Sequence, residues 1–270
     1  MVWLVILIGF PLLLMFATSL AQREPNGEVR WVLGLTNYFR ALDPLYLRIY
    51  VRSFVLAAAT TLICLLLGFP VAHFIAGLKS SNLKNLLIAL VTLPFWTSFL
   101  VRTYAWMILL RTDGPINRLL LQVGILHQPL DILYNDFAIV IGLVYGELPF
   151  MILPLFTVLE KIGPELLEAS GDLGSSSWQT FKRVLLPLSR PGIVAGVILV
   201  FVPSVGAFIT PDLLGGAKSA MIGNLIQSQF AVIRDQPFGS AIAFLLALLV
   251  LVLLASSYTS TKRGAEVKLL

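Results

Sequence analysis

Glu147 stands near the middle of residues 137–159, a run that otherwise carries no charge. A charged side chain at the centre of a bilayer costs about 3 kcal/mol on insertion scales, so such residues face a cavity or a partner. Two readings follow. Glu147 is a carboxylate on the passage of a cation, or a structural residue, neutral or paired with Arg102 or with another subunit. The aromatic residues Trp96, Tyr104, Trp106 and Tyr145 fit the first reading, because a ring face attracts an ammonium group by about 0.5–2 kcal/mol. They also fit plain interface anchoring, the commoner role of Trp and Tyr in membrane proteins. Asp113, Asp131, Asp136 and Asp212 fall in or beside polar connectors, where they attract cations or are simply solvated. The candidate passage is therefore Glu147, Trp96, Tyr104, Tyr145 and Asp212.

Reactive chemistry has no comparable foothold. There is no G-x-x-x-x-G-K-[ST] sequence to cradle a nucleotide, no G-x-S-x-G elbow and no H-E-x-x-H helix. The single cysteine, Cys64, lies inside an apolar run, and His73 and His127 are far apart with no cysteine nearby. No metal spacing and no internal disulfide can be built from these. The chain is expected to be non-catalytic, with neither a catalytic nor a metal site.

The elements that position these residues follow from composition. Of 270 residues, 58% are hydrophobic and only 12% charged, with mean hydropathy +0.91. That is the balance of an integral membrane protein in the lipid bilayer. The net charge of +5 is scattered through connectors, with no basic patch interleaved with aromatics, so nucleic acid is not an expected partner. A transmembrane helix needs roughly 20 apolar residues. Six runs approach or exceed this length: about 2–20, 54–78, 85–110, 137–159, 192–209 and 238–258. They predict an all-α bundle of six transmembrane helices in one domain, residues 1–270. Pro70 and Pro94 predict kinks. Residues 21–50, with a turn at Pro25-Asn26-Gly27, residues 111–134 and residues 210–237 read as polar loops. With both termini cytoplasmic, nine Lys/Arg fall inside and eight outside, so the positive-inside rule does not orient the chain.

Residues 160–191 form the one long polar passage that also reads as helical. Pro164 suits a first helical position, and Glu165 and Glu168 place negative charge where the helix dipole favours it. Gly171 and Gly174 predict a bend or stop. Ser176 and Gln179 have capping-box spacing, and Trp178 and Phe181 form an i,i+3 apolar pair. Pro187 is expected to break the chain, and Pro191 to open the next apolar run.

Within this passage, Glu168-Ala169-Ser170, Gly174, Val184 and Leu186-Pro187 resemble the EAA loop of permease subunits in ATP-binding-cassette importers. That pattern is E-A-A, three residues, G, nine residues, I, one residue, L-P. Ser170 and Val184 replace the usual Ala and Ile. Further stretches resemble the first permease type of the spermidine/putrescine import family: Asp43-Pro44-Leu45-Tyr46, Leu93-Pro94-Phe95-Trp96-Thr97, Arg102-Thr103-Tyr104, Leu148-Pro149-Phe150-Met151, Asp212-Leu213-Leu214-Gly215-Gly216-Ala217-Lys218 and Ile222-Gly223-Asn224-Leu225-Ile226. The resemblance implies a type I importer permease of the cell inner membrane, with residues 160–191 as a cytoplasmic coupling loop. Glu168, Ala169, Ser170, Asp172, Leu173 and Gly174 would couple to an ATPase. It also implies a second permease, two cytoplasmic ATPase subunits binding ATP and Mg, and an external substrate-binding protein. Glu147 stands where this family is expected to be apolar. The competing readings are the same machine with another small solute, an ion-coupled transporter, for which no inverted repeat is visible, and a membrane scaffold.

Overall fold

The computed structural model describes residues 2–24, 27–216 and 219–266. The expected turn at Pro25-Asn26, together with Ala217-Lys218 and Lys268, lies outside the described residues. In chain order the helices are α1 (Val2–Ser19), α2 (Thr36–Ala41), α3 (Pro44–Ala76), α4 (Ser81–Thr92), α5 (Phe99–Leu110), α6 (Pro115–Gln122), α7 (Asp136–Leu159), α8 (Pro164–Asp172), α9 (Ser177–Thr180), α10 (Leu186–Gly206), α11 (Ile209–Leu214), α12 (Ile222–Ser228) and α13 (Gln236–Glu266). A two-residue antiparallel ladder pairs β1 (Gln22–Arg23) with β2 (Val29–Arg30). The class is all-α, as composition predicts.

Several boundaries differ from expectation. The second span begins at Pro44 and not at 54, because Pro44 serves as a helix start and the following residues continue the turn. The third expected span is interrupted at Pro94, as its sequence predicts, and by more than a kink. A 3₁₀ turn, Leu93–Trp96, ends the first half, Thr97 and Ser98 are extended, and the two halves meet at 90°. Residues 111–134 and 210–237 are not simple loops, since α6, α11 and α12 fold within them. Among the described residues four helices are individually long and apolar enough to cross a membrane, and the bent pair makes a fifth. The first expected span corresponds to α1, whose Gly9–Ser19 is a shorter apolar stretch.

Pro187 does not break the chain. Residues Phe181–Leu185 form a π turn, in which Leu186 N–H donates to Phe181 O, and the helix runs on from Ser177 to Gly206. A proline has no N–H to give and crowds the carbonyl four residues back, and a wider turn just before it relieves both problems.

The contacts divide the chain into two compact units. One comprises residues up to Phe54, Val205–Asp212 and Ser219 onward. Here α1 packs along α13, with Phe16 against Phe244 at 5.0 Å and Thr18 Oγ1 donating to Ser240 Oγ at 2.9 Å. Asn37, buried, donates to the carbonyls of Ser19 and Ala21 at 2.9 and 2.7 Å and so satisfies the end of α1. Asp235 caps α13 through Phe238 N–H and pairs with Arg40 at 2.8 Å, whose guanidinium lies 3.9 Å from the Phe238 ring. Gly223 on α12 closes this unit tightly. A Cβ there would run into the carbonyl oxygens of Gly206 and Ala207. Backbone cannot swing aside as a side chain can, so Gly223→Ala is expected to cost about 2 kcal/mol. A lowered midpoint in thermal unfolding of the detergent-solubilised protein would register it.

The other unit comprises Val55–Ser204 and Leu213–Lys218. Its main core joins Cys64 and Ala72 of α3, Met151, Ile152, Leu155 and Leu159 of α7, Leu185, and Val200 of α10. Gly192 and Gly196 let α10 approach α7 closely: a Cβ at 192 would meet Pro154 O at 2.9 Å. Small residues at such crossings are the usual means of helix packing in lipid, where burial of apolar surface gives no net drive. A second core, Leu110, Leu133, Ala138 and Leu214, holds α5 against the start of α7.

Candidate functional site

The polar passage 160–191 folds as two short helices for the reasons its sequence contains. Pro164 opens α8 with Glu165 in its first turn. The helix stops at Asp172 because Gly174 takes a left-handed conformation, φ +82°, which glycine adopts without strain. Ser176 then starts α9 with a complete capping box: Gln179 N–H donates to Ser176 Oγ, and Ser176 N–H donates to Gln179 Oε1. Trp178 stacks on Phe181 at 5.5 Å.

Side chains of this passage divide into a buried root and an exposed face. Ile162, Leu167, Phe181 and Leu185 belong to the main core, and Phe181 meets the ring of Phe69 on α3 edge-on at 5.6 Å. Ser170 is buried, and its hydroxyl bonds that of Thr180 at 2.9 Å, fastening α8 to α9. Where the family pattern has alanine, this chain therefore carries a hydroxyl that has found a partner. Glu168, Ala169, Asp172 and Gly174 are exposed. Leu173 is 87% exposed and Trp178 69%, large apolar groups presented on a segment rich in polar residues. Large apolar groups exposed together on a polar surface are the usual mark of a contact face. A cavity of about 450 Å³ separates it from the end of α3, between Pro70 and His73 on one side and Gly171, Ser175 and Thr180 on the other. Nearby, Lys84 at the start of α4 pairs with Glu160 at the end of α7 at 2.9 Å.

The candidate passage residues are not gathered into one site. Trp106 and Tyr145 meet edge-on at 5.5 Å and line a cavity of about 550 Å³ with Leu56, Ile63, Val140 and Val144. That cavity is apolar apart from Asp136 at its end, and Glu147 does not line it. Trp96 is 89% exposed on the 3₁₀ turn, and Tyr104 is exposed on α5, mid-helix and not at a span end. Asp212, on α11, belongs to the first unit. Glu147 projects from α7 within electrostatic reach of Arg102 on α5, without an ion pair between them; its Oε2 is buried and accepts no hydrogen bond. Sequence reading missed Thr180 as the partner of Ser170. Nothing in a spacing of ten residues across a turn marks such a pair.

The family model for the inner membrane component of binding-protein-dependent transport systems matches residues 5–261. The chain belongs to that family. It is 45% identical over 246 residues to the spermidine/putrescine transport system permease protein PotB of Salmonella typhi, covering 91% of this chain and 85% of that one. The protein of the same name from Haemophilus influenzae is 41% identical over 260 residues, covering 96% and 91%. A crystal structure of a bacterial alginate ABC transporter, in complex with an alginate pentasaccharide-bound periplasmic protein, superposes with TM-score 0.78. It covers 97% of this chain and 91% of that one, at 16% identity. The fold is thus that of ATP-binding-cassette importer permeases, and this family member is a multi-pass inner membrane subunit.

Proposed function

We propose that this chain is the permease subunit of an ATP-driven importer of polyamines, with spermidine and putrescine as cargo. The observation that carries the cargo is the 45% identity, over nine-tenths of the chain, to a protein named for that transport. In this reading residues 1–270 act as one permease domain beside a second permease, two cytoplasmic ATPases and an external binding protein. ATP and Mg belong to the ATPases, and this chain performs no bond chemistry. Both termini and the passage 160–191 are cytoplasmic.

Mechanism follows from the coupling passage. Its exposed face, Glu168, Ala169, Asp172, Leu173 and Gly174, seats in an ATPase, while Ser170 and the buried root tie it to the core. Closure of the ATPases on ATP displaces the passage, and the spans move with it between inward- and outward-facing arrangements. Glu147 then offers the passing cation a carboxylate. The apolar lining around Trp106 and Tyr145 favours a second reading, the same machine with a different small solute. Uptake of labelled spermidine and putrescine by cells expressing the whole complex separates the two: polyamine accumulation supports the first, and its absence with an inserted, assembled complex leaves the second.

A further inference from the structure

Opposite charges elsewhere in the described structure have closed on one another: Lys84 with Glu160 at 2.9 Å, Arg40 with Asp235 at 2.8 Å, Arg111 with Asp113 at 3.1 Å. Arg102 and Glu147 have not, although they sit on packed helices within the apolar part of the second unit. Glu147 Oε2, Arg102 Nε and Arg102 Nη1 are all buried, and none has a hydrogen-bond partner. The guanidinium instead lies 5.6 Å from the ring of Phe99, one helical turn before it. That same ring lies beside Gly146, the neighbour of Glu147, where a Cβ would touch it at 3.7 Å. Phe99 thus stands between the two charges' helices. Buried charged atoms without partners are unfavourable, so this open arrangement persists only if another arrangement or a ligand satisfies them. The helix that carries Arg102 also begins at the 90° break, after two extended residues and with no side-chain cap at Ser98. A helix joined there by extended backbone can rock against α7.

We propose that Arg102 is the residue that evicts a cationic cargo from Glu147. In the arrangement seen here no donor holds Glu147 Oε2, and a cargo ammonium takes that place when the pathway admits it. When α5 rocks towards α7, Arg102 pairs with Glu147 and the ammonium is released. An arginine suits this task because its charge is permanent and its fork of donors fits a carboxylate better than a primary ammonium does. Arg102 acts here through Glu147 and sets the balance between holding and releasing cargo. The cargo part rests on the polyamine reading above.

The test uses the assembled complex in proteoliposomes, with initial rates of putrescine uptake. Arg102→Gln is expected to lower kcat and KM together, each about fivefold, because cargo binds but leaves slowly. Arg102→Lys, which keeps the charge but has no fork of donors, restores only part of the turnover. Glu147→Gln raises KM, and adding Arg102→Gln to it changes nothing further. A fall in kcat with KM unchanged or raised, or additive effects in the double variant, would overturn the proposal. A second measurement does not depend on cargo: thermal midpoints of the four complexes, wild type, both single variants and the double, with and without ATP. Non-additivity in one nucleotide state and additivity in the other is the expected result, and additivity in both refutes the pairing. Absent uptake by the wild-type complex counts against the polyamine reading alone, and the thermal cycle then decides on Arg102.

Discussion

Glu168→Arg is expected to insert normally and to abolish transport. The side chain is exposed on α8 and bonds nothing among the described residues, so reversing its charge leaves both cores intact. Surface substitutions of this kind stay within about 0.5 kcal/mol of the parent in folding. Docking is different, because an arginine placed where an interface expects a carboxylate puts like charges or an unpaired donor into a desolvated contact. Truncating one partner of a buried charge pair costs about 2–5 kcal/mol in binding, and reversal costs at least as much. The expected readout is a membrane fraction with normal amounts of the variant, loss of ATPase co-purification, and polyamine uptake at background. Normal uptake by an inserted Glu168→Arg protein would remove Glu168 from the coupling face.

Phe181→Ala is expected to separate hydrolysis from transport. Phe181 holds the passage to the bundle from the inside: it stacks with Trp178, meets Phe69 edge-on and packs on the main core. Its removal costs about 3 kcal/mol and leaves a void at the root. The outer face, with Glu168 and Leu173, is untouched, so the ATPase still docks. The complex is expected to hydrolyse ATP at near-parental rates while uptake falls about tenfold or more, for a rate change of that size needs only 1.4 kcal/mol in the working cycle. Equal losses of hydrolysis and uptake would show instead that Phe181 supports docking itself.

Much of the coupling passage was legible in the residues. Ser176 with Gln179, Trp178 with Phe181, and Gly174 each announce local structure through interactions within a few positions, and all three appear as read. Features set by longer-range contact were not legible. Pro94 marks the break in residues 85–110, but apolar composition does not give its angle, which is 90°. Pro187 reads as a break because a sequence does not disclose that the turn before it has widened to five residues. The short helices α6, α11 and α12 fall below the length of a span, so a search for spans passes over them, although Ile222–Ile233 is itself apolar. At the candidate passage, residue types alone grouped Glu147 with Trp106 and Tyr145. Their helical phase on α5 and α7 sends the aromatics into an apolar cavity and Glu147 towards Arg102.

The uninterrupted helix from Ser177 to Gly206 makes α9 and the fifth expected span a single lever arm. At about 1.5 Å per residue its 30 residues are roughly 45 Å long. A tilt of about 10° applied at one end sweeps the other through roughly 8 Å on that length. Had Pro187 broken the chain, the same push would have been absorbed in a flexible joint. In the proposed importer the π turn would therefore preserve mechanical gain, turning a small displacement at the surface where Trp178 stands into an ångström-scale excursion across the thickness of the bilayer.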